Sequence, residues 1–489
     1  VPPSRLALSK LSLGAVLAAS WLLATASPAA AGPGLVPGAV EDDLRASTLV
    51  EAQAKMTLFR LAGFRAARVT SYWTPGLTAP SQDEVQVLEN VSEAAELSGV
   101  RLYVTVMNPG SRTTPLTDEA QREYASYAAA LVEAVPRIRH VIVGNEPNLN
   151  RFWLPQFALD GSSAAPAAYL SLLARTYDAL KAVSPDIEVC GGAVSPRGTD
   201  NPTGMRPTHS PTTFIPALGA AYRASARTRP VMDAFVQHVY GDNSSQPPAV
   251  AHPGTSIGVA DYGKLVALLG GAFDGTAQPG STLPIVYGEY GVETEIPASK
   301  NGLYTGTEPA TTRPPTEATQ AAFYEQAFAL AFCQPNVEAM LIFHAQDERE
   351  RTGWQSGVRY VDGTPKSSLP RVRQALDRTT GGSITRCPGV QLVVQASGVR
   401  FGSRGDARRG VFRASFTCRL DCLYDVRVVK VGGATKMVKR GRAEVGVPVT
   451  VGFGPRRLAP GTYRYRLRLV HPVNPGPPTI RDGPVFRLP

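Results

Sequence analysis

Cysteine is scarce in this chain, with five among 489 residues. So few thiols cannot staple a protein of this length, and the fold has to rest on its apolar core. Cys418 and Cys422 form a close pair suited to a small disulfide loop. No second cysteine pair or histidine cluster accompanies them, which disfavours a metal site. Cys190 and Cys333 sit inside apolar patterns and read as buried thiols, and Cys387 stays unassigned. Also missing are an H-E-x-x-H zinc motif, a phosphate-binding P-loop and a G-x-G-x-x-G dinucleotide turn, so the sequence calls for no cofactor. Nucleic acid is disfavoured as a partner because no binding motif is present. Gly254-Thr-Ser256-Ile-Gly258 matches the G-x-S-x-G pattern of serine hydrolases, but the proline-rich stretch 246–253 stands where that motif needs a strand.

Long apolar runs are absent too, except near the start. Arg5 and Lys10 precede a mostly apolar stretch from Leu11 to Ala26, and Ala29-Ala30-Ala31 follows. Residues 1–31 therefore read as a signal peptide, and the expected location is secreted, extracellular or wall-associated. No later segment is long and apolar enough for stable membrane insertion. Acidic residues are few at the other end. From Arg386 onward there are 20 Lys and Arg against 5 Asp and Glu, leaving 30 against 35 in the rest of the chain. An acidic main domain thus carries a basic tail, whose candidate partner is an anionic cell-surface polymer such as a wall polysaccharide; a merely solvated arginine-rich surface is the alternative.

Between 36 and 382, short apolar runs alternate with longer amphipathic ones, as in a parallel βα protein. The expected strands are Leu35–Ala39, which is weak, then Ala66–Tyr72, Arg101–Met107, His140–Gly144, Glu188–Val194, Ala234–Tyr240, Pro284–Gly288 and Ala339–Phe343. Helical patterns fall at Leu49–Leu61, Asp118–Val135, Ala167–Val183, Thr316–Phe332 and Ser368–Asp377. Eight strands with intervening helices fit a closed (β/α)8 barrel, which needs about 250 residues or more. An open doubly wound sheet is disfavoured by the missing glycine-rich turn. From 387 to 489 the texture changes to short alternating runs at Val390–Val394, Gly410–Phe416, Tyr424–Val429, Val447–Phe453 and Tyr463–Val470. That predicts a small all-β, immunoglobulin-like sandwich.

The residues that stand out chemically are two glutamates at strand ends. Val141-Ile-Val-Gly-Asn145-Glu146-Pro147 and Leu283-Pro-Ile-Val-Tyr-Gly-Glu289 each run an apolar strand into a carboxylate. A barrel gathers the C-terminal ends of its strands around one mouth. Breaking a glycosidic bond needs two carboxyl groups there, one protonated to release the leaving oxygen and one ionised to attack or to activate water. Glu293 and Glu295 compete for the second role, but Glu289 directly follows the apolar run.

This pattern resembles the retaining glycoside hydrolases of clan A, (β/α)8 enzymes with an Asn-Glu pair on strand four and a glutamate on strand seven. The resemblance implies Glu146 as general acid/base, Glu289 as nucleophile and Asn145 as a donor to the sugar 2-hydroxyl. Arg68, in Gly63-Phe-Arg-Ala-Ala-Arg68, is similar to the arginine ending the clan's second strand and would keep Glu289 ionised. Phe235-Val-Gln-His238-Val-Tyr240 resembles strand six, with His238 and Tyr240 facing the cleft. Trp73, Trp153 and Trp354 are candidate sugar platforms. One departure is Phe343-His344 at the end of strand eight, where the clan often has tryptophan. The resemblance implies a secreted retaining β-glycosidase acting on a polysaccharide or oligosaccharide. A transglycosidase of the same clan and a non-catalytic glycan-binding protein are the alternatives.

Overall fold

A computed structural model of the chain describes residues 35–380, 394, 396–418, 422–444, 447–470, 472 and 478–489. The expected signal peptide, the 387 boundary with Cys387, and all but the last residue of the expected strand at 390–394 lie outside them. Eight parallel strands close into a barrel in chain order: β1 (Val36–Val40), β2 (Ala66–Tyr72), β3 (Arg101–Met107), β4 (His140–Val143), β5 (Glu188–Val194), β6 (Ala234–His238), β7 (Ile285–Tyr290) and β8 (Val337–Phe343). Eight helices intervene: α1 (Leu49–Leu61), α2 (Gln82–Ser98), α3 (Asp118–Ala134), α4 (Ala165–Val183), α5 (Pro211–Ala224), α6 (Tyr262–Phe273), α7 (Glu317–Phe332) and α8 (Leu369–Thr380). Among the described residues no helix is long and apolar enough to cross a membrane.

The helices start where the local chemistry asks. Thr48, Ser81, Thr117 and Thr316 each turn a hydroxyl onto the third backbone N–H of α1, α2, α3 and α7, and each of those first turns carries an acidic residue. The strands are buried on both faces. Val40, Tyr103, Ile142, Val236, Val286 and Leu341 fill the barrel interior. Their alternating neighbours, such as Val104, Val141 and Ile285, pack outward against the helices. That double burial explains the continuous apolar runs. β1 is the exception. A Cβ on Gly38 would come within 2.2 Å of the Ala66 carbonyl oxygen, so the strand is buried where no side chain fits.

The C-terminal part holds β9 (Ala396–Phe401), α9 (Arg404–Arg408), β10 (Phe412–Cys418), β11 (Cys422–Lys430), β12 (Thr435–Ala443), β13 (Pro448–Phe453), β14 (Gly461–Val470) and β15 (Thr479–Leu488). The strands pair antiparallel in two sheets, β13-β10-β9 and β12-β11-β14-β15. Phe412 from the first packs with Val428, Tyr463, Tyr465 and Phe486 from the second, so the two sheets form a sandwich, with the strand number of immunoglobulin-type domains. β9, β12 and β15 were not expected from the sequence. Cys418 and Cys422 are disulfide-bonded and Cys190 is a free, buried thiol. Cys333 departs from expectation: it is buried, but as a disulfide-bonded cysteine.

Candidate active site

The strand ends surround a cleft of about 730 Å³ that draws lining residues from all eight strands or the loops after them. Glu146 enters it from an unusual backbone. After Gly144 (φ 76°), Glu146 itself has φ 40°, a left-handed conformation that β-carbon sterics disfavour. It is held there by both of its peptide groups. Its N–H donates to the Ala193 carbonyl at 2.8 Å and its carbonyl accepts from Leu149 at 2.9 Å. Such strain collects at functional sites because the surrounding structure has to enforce it.

Glu289 reaches the same cleft through a register shift. Along the β6–β7 ladder Gln237 pairs with Tyr287 but His238 pairs with Glu289, so Gly288 is skipped. A Cβ at Gly288 would meet Val236 Cγ1 at 2.5 Å. The bulge therefore needs glycine, and it sets Glu289 beside His238.

Arg68, on β2, ties these parts together. Its Nη1 donates to Glu289 Oε1 at 2.7 Å, its Nη2 to Asn145 Oδ1 at 2.8 Å, and its Nε to Thr105 Oγ1 at 2.7 Å. With Oδ1 of Asn145 occupied, the amide Nδ2 is left as the donor of that side chain. Tyr240 donates its hydroxyl to Glu289 Oε2 at 2.9 Å. His238 is fully buried, and its Nδ1 lies 3.0 Å from Glu146 Oε1 and 3.4 Å from Glu289 Oε2. Its Nε2 is buried without a partner, so the proton belongs on Nδ1, between the carboxylates. Burial pushes the Glu289 carboxyl up, but His238 and the Arg68 guanidinium beside it, with the hydrogen bonds from Tyr240 and Arg68, outweigh it and hold the group below its ordinary value. One atom from each of Glu146, His238 and Glu289 lies within 4.8 Å of the other two. This trio is also the cation-capable grouping of the described residues, but Arg68 already supplies positive charge on Glu289, so the residues do not call for an ion.

Asn145, Glu146, Arg68, Tyr240, Glu289 and Trp354 all line the cleft. Trp354 stacks on Tyr240 with ring centroids 4.6 Å apart and stands edge-on to Phe343, which places an indole next to the strand-eight position where the sequence has none. Trp73 and Trp153 are corrected. Trp73 is fully buried against Tyr124 and donates to the Leu77 carbonyl, and Trp153 is buried edge-on to Tyr169. Neither lines the cleft, so neither can face a sugar there. Ser256 lies in an irregular segment with no strand before it.

Glu293 also lines the cleft, four residues past Glu289, but its contacts differ. Its Oε2 accepts from the Gln355 N–H at 3.4 Å, and its own N–H donates to Ser244. Burial first, then the nearby Glu308, raises its carboxyl to about 8 despite that N–H. A group kept protonated at neutral pH does not suit a nucleophile.

Several cleft residues carried no sequence signal, among them Arg151, Arg197 and Glu348, and His344, at the strand-eight departure, lines the cleft with them. His344 Nε2 lies 3.3 Å from Glu348 and its Nδ1 3.0 Å from the Val40 carbonyl. The loops after β6, β7 and β8 are hydrogen-bonded in series: Ser244 N–H to Thr312 O, Thr305 N–H to Arg349 O, and Arg351 N–H to Thr305 O, all at 2.9–3.0 Å.

No protein-family profile matches the chain, and no curated protein matches it. Among solved structures, it is similar to a GH39 enzyme from Xanthomonas axonopodis pv. citri at 15% identity and TM-score 0.47, covering 87% of this chain and 93% of that one. A glucosidase from Croceicoccus marinus aligns at 11% identity and TM-score 0.48, covering 87% and 94%. A β-glucuronidase from Bacteroides uniformis aligns at 11% identity and TM-score 0.46; the match covers 93% of this chain but 46% of that one. Likeness this distant leaves the activity to be argued from the site.

Proposed function

We propose that this chain is a glycoside hydrolase that cleaves O-glycosidic bonds of a polysaccharide or oligosaccharide with retention of configuration. One observation carries the reading: Glu289 is buried and held ionised by Arg68, and an oxygen of Glu146 lies within 4.8 Å of one of its own. Retaining enzymes hold their carboxyls about 5–5.5 Å apart, whereas inverting ones need about 6.5–9.5 Å to admit a water between.

In the proposed reaction, Glu289 attacks the anomeric carbon as the bond to the leaving oxygen breaks, and Glu146 gives that oxygen its proton. A glycosyl ester on Glu289 results. Glu146, now ionised, takes a proton from water, the water oxygen bonds to the anomeric carbon, and the ester bond to Glu289 breaks. The His238 Nδ1 proton lies near both carboxylates and stabilises whichever one is charged. The Asn145 amide serves as a donor to a sugar hydroxyl, and Trp354 offers an apolar ring face. Secretion is part of the proposal and rests on the leader-like pattern of residues 1–31.

The test is a screen of chromogenic β-glycosides and polysaccharides, with the first-formed product anomer read by proton NMR. Retention predicts the β anomer first; the α anomer first would sink the mechanism. Glu289→Gln should lower kcat by at least about a thousandfold in a protein of unchanged fold. Full turnover in that variant would remove Glu289 from the chemistry.

A further inference from the structure

We infer that the outer face of the four-stranded sheet β12-β11-β14-β15 is a binding surface for a carboxylated polysaccharide, separate from the cleft. Alternation along the strands decides what this face shows. On β14, Tyr463, Tyr465, Leu467 and Leu469 point into the sandwich, so Arg464, Arg466 and Arg468 point out. On β11, Val426 and Val428 point in and Arg427 points out, opposite Arg466. On β12, Arg440 pairs with Asp425 in the register, which puts it on the same face.

These five arginines face two carboxylates. Asp425 takes Arg427 in a fork at 2.7 and 2.8 Å, and Asp482 takes Arg466 in another at 2.6 and 2.8 Å. The face thus displays on itself the guanidinium–carboxylate geometry that an external carboxylate would use. Two arginines remain loosely engaged. Arg468 lies 3.9 Å from Asp425, and Arg440 is exposed. Both flank a hollow of about 410 Å³ that also includes Leu423 and Val470. Successive outward residues on a strand are about 6.5–7 Å apart, so β14 offers a linear row of positive charge.

That row calls for a linear polyanion. The residues alternating outward on β11 and β14 include no aromatic ring, and the one ring bordering the hollow, Tyr424, packs edge-on against Phe416, so no row of rings is offered to successive unstacked bases. The face is a sheet with no amphipathic helix to sink into a lipid surface. A polymer with one carboxylate per sugar fits the remaining chemistry. Its identity as a glycan rests on the glycosidase reading, but the binding itself does not.

The experiment is affinity electrophoresis of the full chain in gels containing polygalacturonate. Methyl-esterified polygalacturonate, single-stranded DNA and phosphatidylserine vesicles serve as parallel probes, the vesicles by co-sedimentation. Polygalacturonate should retard the wild type, less so as salt rises, and its methyl ester should not. R440S/R468S should weaken retention at least about tenfold while leaving Asp425 in its fork with Arg427. If that pair of changes disturbs folding, R440S alone supplies the test, since Arg440 is exposed. No retention, undiminished retention in a folded variant, or equal or tighter binding of DNA or vesicles would overturn the inference. Glu289→Gln should be retained like the wild type, and R440S/R468S should keep its turnover of short neutral glycosides. Failure of the binding face and failure of the glycosidase reading are therefore separately visible.

Discussion

Tyr240 acts on Glu289 through one hydroxyl, at 2.9 Å. Tyr240→Phe removes that donor and keeps the ring that stacks on Trp354. The ionised form of Glu289 loses a hydrogen bond, so its carboxyl should move up. The acid limb of kcat/KM should then shift to higher pH, with the plateau falling about ten- to a hundredfold. A pH–rate profile of the variant checks both. The tryptophans divide in a similar way. Trp354→Ala should raise KM with little change in Tm. Trp73→Ala should instead cost about 3–5 kcal/mol of stability, read by denaturant unfolding, because it empties a core site. All three tryptophans considered as platforms stand near strand ends or their loops in the sequence. Only the path of the chain after each strand decides which way the ring turns, and residue order does not contain that path. Arg68, by contrast, was legible through its resemblance to the arginine of the clan's second strand, and it lies 2.7 Å from Glu289.

Elements with two buried faces were the easy ones to read. β2, β3 and β5 fall where their largely apolar runs predict, because even the polar residues inside them, such as Thr70, Ser71 and Thr105, are buried. β12 was invisible because its sequence, Thr-Lys-Met-Val-Lys-Arg-Gly-Arg-Ala, buries only Met437 and Ala443. An edge strand with one charged face loses the apolar signal that marks strands elsewhere. The Gly288 bulge was equally hidden, although it decides where the carboxylate of β7 points. Gly288→Ala should therefore do double damage. Crowding against Val236 should cost about 1–3 kcal/mol, seen in unfolding, and the shift of Glu289 should reduce kcat more than it changes KM.

Across the whole barrel, the end opposite the cleft carries its own carboxyl pair. Glu188, on β5, and Glu338, on β8, lie near the N-terminal ends of their strands. Burial and then the charge of Glu188 raise Glu338 to about 8. Burial also pushes Glu188 up, but His140, 3.4 Å away, then Glu338 and the Cys190 thiol beside it outweigh it and bring it to about 2. The signs follow from linkage. Glu338 binds its proton more tightly when folded, so stability should decline as pH rises from the ordinary 4.5 through about 8. Glu188 holds its proton less tightly when folded, so stability should also decline as pH falls from 4.5 through about 2. A Tm–pH curve should show both slopes, and Glu338→Gln should flatten the alkaline one. Some slope should remain there, because Glu293 is raised to about 8 as well.

The serial bonding of the loops after β6, β7 and β8 has a mechanical consequence. Ser244 is fastened to Thr312, and Thr305 to both Arg349 and Arg351, so no one of these segments swings without pulling on the next. That side of the mouth moves as a single leaf or not at all.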